Sequence, residues 1–492
     1  MTTTSVAVGF RTGPKSARGR STMITLYAVN ILLFVLIGFI DLPRELLGIL
    51  VIVFMVTLML LGVPIAFGML GASMVGLWKL AGYAPLASTL KETVFNSAAS
   101  WSLSVIPSFI LMGVVMWKAG ITDRLFDMVR AWLGWLPGGL AVSSNFAGAG
   151  LAAVSGSTVS VTYALGKVAL PSMIKAGYSP GLATGTVSAV GTLGQLIPPS
   201  ILLVVYAGVA QTSVGPQLLA PVVPAIILAV GYGLMIVIRA WVNPSLAPRG
   251  EVRFTWSERL RSLSALVPIA IVFGGVIGGM LLGLFTPTEA AAFGVVAALL
   301  VAWLFSPEIR RSPRKLLPLI KTGVVEAVSA TATIFLLLVG VYVLTRVITM
   351  SRLSVAFADW VVAMDLGRIE FLLILVVIYL ILGTALDPLA MILLTVPILA
   401  GPLEMVGVDL IWFGVFVLVL GEIAQISPPI GLMSFIVHRI VQDPEVNEGR
   451  PISLGTVFKG ALWFIVVSLL LLVLLIVWPD LALWLPENAT TK

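Results

Sequence analysis

Two ten-residue stretches of this chain place a glycine, a glutamine and a proline pair at identical spacing. Gly191-Thr-Leu-Gly-Gln-Leu-Ile-Pro-Pro-Ser200 recurs as Gly421-Glu-Ile-Ala-Gln-Ile-Ser-Pro-Pro-Ile430, an offset of 230 (191 to 421). Both lie inside apolar runs. A proline pair there removes two N–H donors and clashes with the preceding turn, so a helix cannot continue through it. Carbonyls freed by the break, together with the amide oxygens of Gln195 or Gln425 and nearby hydroxyls, suit a hard, oxygen-seeking cation. Half-helix N-termini at such breaks bring partial positive charge, which favours a carboxylate.

The same offset carries Ser155-Gly-Ser-Thr158 onto 385–388, within Gly383-Thr-Ala-Leu-Asp-Pro388. Each is a polar or helix-breaking tip at the middle of an apolar region, so the spacing from tip to proline pair is kept in both halves. A tip beside a broken helix builds a compact site for a cation and an anion together. Ser155, Ser157, Thr158 and Thr192 have the alternative of bonding back to a helix carbonyl. Asp387 either binds a cation or caps the helix after Pro388. Glu422 has no acidic counterpart, because Thr192 holds that position in the first half; a proton-linked role is open to it. Carboxylates at membrane depth cost roughly 2.5–3.5 kcal/mol on insertion scales unless paired or coordinated. Glu289, in Phe285-Thr-Pro-Thr-Glu-Ala-Ala-Ala292, reads as a first-turn residue capped with Thr286 or Thr288. His438, the only histidine, stands beside Arg439 at the end of an apolar stretch and reads as interfacial.

The elements that position these residues are membrane helices. Of 492 residues, 59% are hydrophobic and 10% charged, against about 25% charged in soluble domains. Cysteine is absent, which excludes disulfides and thiolate metal sites. The net charge of +7 comes from basic residues in short loops, a topology signal rather than a nucleic-acid surface. A polar segment at 1–23 precedes an apolar helix within 24–45, read as retained, with the N-terminus cytoplasmic. Spans follow at about 46–62, 64–80, 102–119, 181–212, 216–240, 263–284, 287–305, 323–347, 409–436 and 457–478. Regions 137–172 and 369–402 are each long enough for two short helices, whose arms are near or below the roughly 20 residues of a full crossing. They read as re-entrant hairpins, whose tips are tolerable only in protein or beside a wet cavity. Treating both as re-entrant puts 22 of the 29 lysines and arginines on the cytoplasmic side, Arg11, Lys15, Arg249 and Arg253 among them and Lys492 outside. Reading both as spanning is the competing topology.

The fold expected is an all-α polytopic membrane protein made of two repeats, 46–240 and 263–480. They are joined by a cytoplasmic linker at 241–262 and followed by a tail at 481–492. Five crossings per repeat is an odd number, so the second copy lies inverted. Interrupted helices, inverted repeats and a midplane site are the layout of secondary transporters.

At this point a resemblance enters. Pro107-Ser-Phe-Ile-Leu-Met-Gly113, Leu136-Pro-Gly-Gly139, Ser155-Gly-Ser157, Pro171-Ser-Met173, Gly177-Tyr178, the 191–200 segment, the 285–292 segment and Ser427-Pro-Pro-Ile-Gly431 together resemble the large membrane subunit of tripartite ATP-independent periplasmic (TRAP) transporters. The match covers about 46–480. It implies an elevator in which a transport domain carrying both hairpins slides against a scaffold. It also implies sodium as coupling ion with no other cofactor, a periplasmic substrate-binding protein, and a small four-helix membrane subunit in a bacterial inner membrane. The sodium sites so implied are Ser155, Gly156, Ser157 and Thr158 with Gly191, Thr192 and Gly194, and Gly383, Thr384 and Asp387 with Gly421 and Gln425. For the organic acid the candidates are Ser155, Ser157, Thr158, Gln195, Asp387 and Gln425. Two departures stand out: the extra helix in 24–45, and Gln195 and Gln425 where small or apolar residues are commoner in the family.

Dicarboxylates, 2-oxo acids and sugar acids all fit such a site. A stand-alone sodium–dicarboxylate symporter of the same superfamily is the alternative. An intramembrane enzyme would need a nucleophile–base pair, paired carboxylates or a metal cluster, which His438 without cysteine does not supply. A channel is disfavoured by hairpins that suit an occluding carrier.

Overall fold

The computed structural model describes residues 17–98, 100–121, 124–248, 254–384 and 386–489. Arg11, Lys15, Arg249, Arg253 and Lys492 of the charge count, and Ala385 of the second tip, lie outside the described residues. The described chain is built from helices joined by short turns. The first four are α1 (Ala17–Phe39), α2 (Arg44–Leu60), α3 (Ile65–Ala81) and α4 (Tyr83–Ala98). Next come α5 (Val105–Lys118), α6 (Leu125–Leu133), α7 (Gly139–Ser155), α8 (Thr158–Lys175), α9 (Pro180–Leu196) and α10 (Ile201–Ala210). The middle of the chain holds α11 (Val214–Leu219), α12 (Val222–Val242), α13 (Trp256–Ser262), α14 (Val267–Leu281), α15 (Pro287–Phe305), α16 (Pro307–Arg311) and α17 (Leu316–Met350). The last part holds α18 (Leu353–Ala363), α19 (Arg368–Leu382), α20 (Pro388–Met405), α21 (Leu410–Ile426), α22 (Leu432–Ile440), α23 (Pro444–Asn447), α24 (Leu454–Val477) and α25 (Asp480–Asn488).

Among the described residues, five helical stretches are long and apolar enough to cross a bilayer on their own, and two bent pairs join them if each counts as one span. One of those pairs is α9 with α10, bent by 47° across the first proline pair. The expected interruptions therefore appear as real breaks: 181–212 divides into α9 and α10, and 409–436 into α21 and α22, which runs on to Ile440. The two hairpin regions are helix pairs, α7–α8 and α19–α20, within a few residues of the expected bounds.

Segments outside the expected spans also carry helix. Within the linker 241–262 lies α13, started by a capping box in which Thr255 accepts from Glu258 N and Glu258 answers to the Thr255 backbone. The tail placed at 481–492 is largely helix α25. The polar segment 1–23 gives way to helix from Ala17 onward. Helix α4 and the short α6 were missed because they are more polar or too short to resemble a span.

The chain divides into two compact units. One comprises 1–98 with 336–357, the other 99–335 with 358–492. In the first, α1 is tied to α2 where Thr57 Oγ1 donates to the buried Asn30 Oδ1 at 3.1 Å. Close helix approach depends on small residues: a Cβ on Gly76 would come within 2.5 Å of Val51 Cγ2 and 3.3 Å of Val347 Cγ1. Asp41 pairs with Lys79 at 2.7 Å, and that ammonium holds the exposed Asp41 carboxyl below its usual range.

The second unit is organised around α9 and α21. Every residue from 182 to 196 and from 412 to 426 is buried, as expected of helices covered on all faces. Helix α24 packs against α9 where both carry glycine: a Cβ on Gly185 would reach 2.5 Å from Gly460 O. The threonine hydroxyls near the start of α9 are satisfied inside the helix, as Thr184 donates to Pro180 O and Thr186 to Leu182 O. Helices that hold the breaks are thus fixed by packing rather than by lipid.

Candidate functional site

Both tips lead into a helix capped by the side chain before it, while the arms entering them end differently, α7 at left-handed Gly156 and α19 at right-handed Gly383. Helix α7 ends at Gly156, which takes the left-handed conformation (φ 56°) and donates its N–H to Ala152 O at 2.9 Å. Ser157 is then extended and caps α8, its Oγ accepting from Ser160 N at 3.4 Å. In the second tip, Asp387 is extended and caps α20, its Oδ1 accepting from Ala390 N at 2.8 Å. Ser157 and Asp387 are related by the offset of 230 (157 to 387). The helices that follow begin and end at the same offset, 158–175 with 388–405 and 180–196 with 410–426. Both proline pairs, Pro198-Pro199 and Pro428-Pro429, have cis peptide bonds.

Each tip packs on its own break. A Cβ on Gly194 would stand 3.3 Å from Ser157 C and Thr158 N, and one on Gly156 would stand 3.4 Å from Pro199 O. A Cβ on Gly191 would run into Thr162 Oγ1. In the second set, a Cβ on Gly421 would lie 2.9 Å from Pro388 Cβ, and one on Gly383 would overlap Ala424 Cβ. The structure therefore brings Gly156, Ser157 and Thr158 against Gly191 and Gly194, Gly383 against Ala424, and Pro388 against Gly421. The two sets belong to one compact unit in which α9 packs on α21. A side-chain contact crosses between halves where Thr162 Oγ1 meets Met433 Sδ at 3.3 Å.

This arrangement gathers freed carbonyls and helix ends of both signs at each break. Pro198 and Pro199 lack the N–H groups that would serve Gly194 O and Gln195 O, and Pro428 and Pro429 do the same to Ala424 O and Gln425 O. Helix C-termini of α7 and α9 meet the N-termini of α8 and α10 at the first set, offering negative and positive ends together. The second set repeats this with α19, α21, α20 and α22.

The individual side chains divide sharply. Thr192 Oγ1 donates to Ala189 O at 2.7 Å and Thr384 Oγ1 to Ile381 O at 2.7 Å, so both hydroxyls bond back to their helices. Gln195 differs. It is 4% exposed, and neither its Oε1 nor its Nε2 has a hydrogen-bond partner. Gln425 is buried with its Oε1 unpartnered. Glu422 is wholly buried and both carboxylate oxygens lack a partner. A buried polar atom left unmatched costs about 1–3 kcal/mol, more for a charge, so these groups are open to a water or a ligand.

Two hydroxyls were not singled out from sequence. Ser200, directly after the first proline pair, and Ser188, further back on α9, are buried with unpartnered Oγ atoms. The signal for Ser200 was its place next to the break; nothing distinguished Ser188 from the other hydroxyls of α9. Glu289 does cap α15, with Thr286 Oγ1 accepting from Glu289 N and Glu289 Oε2 accepting from Thr286 N at 2.8 Å. His438 sits in the last turn of α22 with Gln442 Nε2 3.2 Å from its Nδ1.

Residues 51–481 match the family model described as the DctM component of the tripartite ATP-independent periplasmic transporter. A C4-dicarboxylate TRAP transporter large permease protein of Pseudomonas aeruginosa is 33% identical over 81% of this chain and 89% of its own length. An ectoine TRAP transporter large permease protein of Halomonas elongata is 30% identical over 88% of this chain and 98% of its own. Among solved structures, the YdaH transporter of Alcanivorax borkumensis superimposes with a TM-score of 0.62 at 17% identity, covering 89% of this chain and 98% of the other.

Proposed function

We propose that this chain, which belongs to the DctM family of large permease components of tripartite ATP-independent periplasmic transporters, carries a small organic acid inward on a sodium gradient. It is a transport protein, not an enzyme. The observation that carries the sodium reading is the doubled tip-and-break, with the buried oxygens of Gln195 and Gln425 left unpartnered beside carbonyls that lose their helical N–H donors to proline, Ala424 O taking the Ser427 hydroxyl instead at 3.3 Å. An oxygen-only set, neutral at the first break and joined by the Asp387 carboxylate at the second, suits an alkali cation.

Sodium is cargo here, entering and leaving with the substrate. The first ion would be held by Gly156, Ser157 and Thr158 with Gly191, Thr192 and Gly194, the second by Gly383, Thr384 and Asp387 with Gly421 and Gln425. Ser155 lies at the edge of the first tip. Helix N-termini of α8, α10, α20 and α22 would face the substrate carboxylate, with Ser155, Ser157, Thr158, Gln195, Asp387 and Gln425 as the side chains that complete the site. The relatives' names include C4-dicarboxylate and ectoine, two compounds that share a carboxylate, which fits recognition by helix ends plus neutral polar groups. Each net positive charge carried inward would contribute about 2.3 kcal/mol per 100 mV.

In this reading the hairpins enter from opposite sides of an inner membrane, the two repeats are inverted, and the N-terminus is cytoplasmic. The part carrying both tips moves as an elevator. A small membrane subunit and a periplasmic binding protein complete the system. The test is uptake of labelled organic acids into proteoliposomes holding this chain with its small-subunit partner. Uptake that needs both an inward sodium gradient and the binding protein supports the tripartite symporter. Uptake with sodium alone points to a stand-alone symporter, and sodium-independent uptake sinks the cation sites.

A further inference from the structure

Helices α12 and α24 enclose an apolar groove of about 410 Å3 on the outside of the second unit. Its walls include Leu234, Ile238, Leu470 and Leu474, and Arg239 stands at one end beside Trp463. Glycine lets the two helices meet at its base: a Cβ on Gly231 would come within 2.9 Å of Val467 Cγ1. Leu234 and Leu470 are each 57% exposed, so the groove opens toward the hydrocarbon around the protein.

Arg239 is the unusual member. Its guanidinium lies 4.7 Å from the Trp463 ring centroid, held in place by that face, yet its Nη1 is buried with no acceptor. None of the described residues lining the groove is acidic. A cation at the end of an apolar trough calls for an occupant with an anionic head and an apolar tail. Dimensions agree. From Ile227 to Arg239 the helix rises by about 18 Å at about 1.5 Å per residue, close to one leaflet's share of a hydrocarbon core about 30 Å thick.

We propose that this groove is a binding site for an anionic phospholipid, with the phosphate on Arg239 and an acyl chain between α12 and α24. A free anion would satisfy the guanidinium but leave the trough to water. A neutral lipid would fill the trough without answering the charge, and a zwitterionic one carries its own ammonium to offset its phosphate. A planar guanidinium with several fixed donors is also the side chain best matched to a phosphate. Both helices pack against α9, α24 through the Gly185–Gly460 crossing, so the bound lipid braces the two helices that flank the first broken helix. The inference rests on the membrane location of the chain and not on its ion or substrate.

The experiment uses the full chain in detergent, titrated with phosphatidylglycerol or phosphatidylcholine and read by native mass spectrometry. Wild type retains phosphatidylglycerol selectively; Arg239→Gln lowers that retention at least tenfold and leaves phosphatidylcholine unchanged. Leu470→Trp, which fills the trough and spares the arginine, lowers retention of both. Because the chain has no cysteine, a Leu470→Cys variant reports access to the groove directly, and added phosphatidylglycerol slows its labelling by a maleimide. Equal phosphatidylglycerol retention by wild type and Arg239→Gln overturns the proposal. So does protection of Leu470→Cys by the small membrane subunit in lipid-free detergent, which would make the groove a protein interface.

Discussion

The two proline breaks share a backbone and differ in almost everything attached to it. Pro198, Pro199 and Ser200 are buried, whereas Pro428, Pro429 and Ile430 are exposed. At the first break the polar groups are neutral: Thr192, Ser157 and Ser200. Their counterparts at the second are Glu422, Asp387 and Ile430, two acids and an apolar side chain. Gly194 corresponds to Ala424. The backbone device, a capped half-helix seated on a broken one, has therefore been kept while its side chains diverged. What the pair has in common is carbonyl geometry and a glutamine, so the common function belongs to those. Under the proposed sodium coupling, what differs would set the order and strength with which the two sets take their ions.

The most disruptive way to break the comparison is at the contact that differs in size. Gly383→Ala would drive its Cβ into Ala424 Cβ, with Tyr379 O only 3.1 Å away, in a site that has no room to yield. Overpacking of this kind costs about 1–3 kcal/mol and shifts the second tip off its break. Uptake should be lost and the melting temperature lowered. Adding Ala424→Gly, which recreates the arrangement at Gly194, should restore both. Failure of the double variant to recover would mean that the contact does not set the tip's position.

Next in size are the glutamines. A buried amide that serves only the fold should be hydrogen-bonded, and Gln195 is not. Gln195→Leu keeps the volume and removes two unmatched groups, so stability should hold or rise by up to about 1–3 kcal/mol. Sodium activation should weaken about tenfold, the equivalent of about 1.4 kcal/mol of binding. Gln425→Leu should act in the same direction but less, because the second set keeps the Asp387 carboxylate. The signature to look for is a protein that melts higher and binds sodium worse. One that melts lower with sodium activation intact would remove both glutamines from the sites.

Asp387 and Ser157 allow a sharper cut, since both cap a helix and both belong to the proposed cation sites. Losing a cap costs about 0.5–2 kcal/mol. Asp387→Asn keeps the cap and removes the charge, so it should leave stability unchanged and raise half-saturating sodium severalfold. Ser157→Ala removes a cap and a neutral ligand together, lowering the melting temperature as well. Sodium activation that survives Asp387→Asn would assign Asp387 to capping alone.

Much of this was legible in the sequence because the governing rules are local. Proline cannot continue a helix, glycine permits a close crossing, and a hydroxyl or carboxylate before a helix start caps it, so both breaks, both hairpins and the Glu289 cap could be read from residue type and spacing. Other features depend on what lies across the fold. That Thr192 bonds back to Ala189 while Gln195 bonds to nothing is a matter of which neighbours α24 and the tip leave within reach. The exposure of Pro428 against the burial of Pro198 likewise has no trace in two proline pairs at the same spacing from a glutamine. Helix α13 was missed because hydropathy finds spans, and a short capped helix of charged residues is not one.

Ser200 offers the finest test of the difference between the breaks. Its hydroxyl is 1% exposed, unpartnered, and stands where the second break has an exposed Ile430. If the first ion is held without any carboxylate, each neutral oxygen near it matters more than at the second set, where Asp387 supplies formal charge. Ser200→Ala deletes one oxygen and creates almost no cavity, so stability should stay within about 0.5 kcal/mol of wild type. Half-saturating sodium should rise only a few-fold, and the effect should persist in the Asp387→Asn background, because the two changes address different ions. Were the two effects instead to collapse into one, the sets would be sharing a single sodium, and the repeat would be a device for enclosing one ion from both sides.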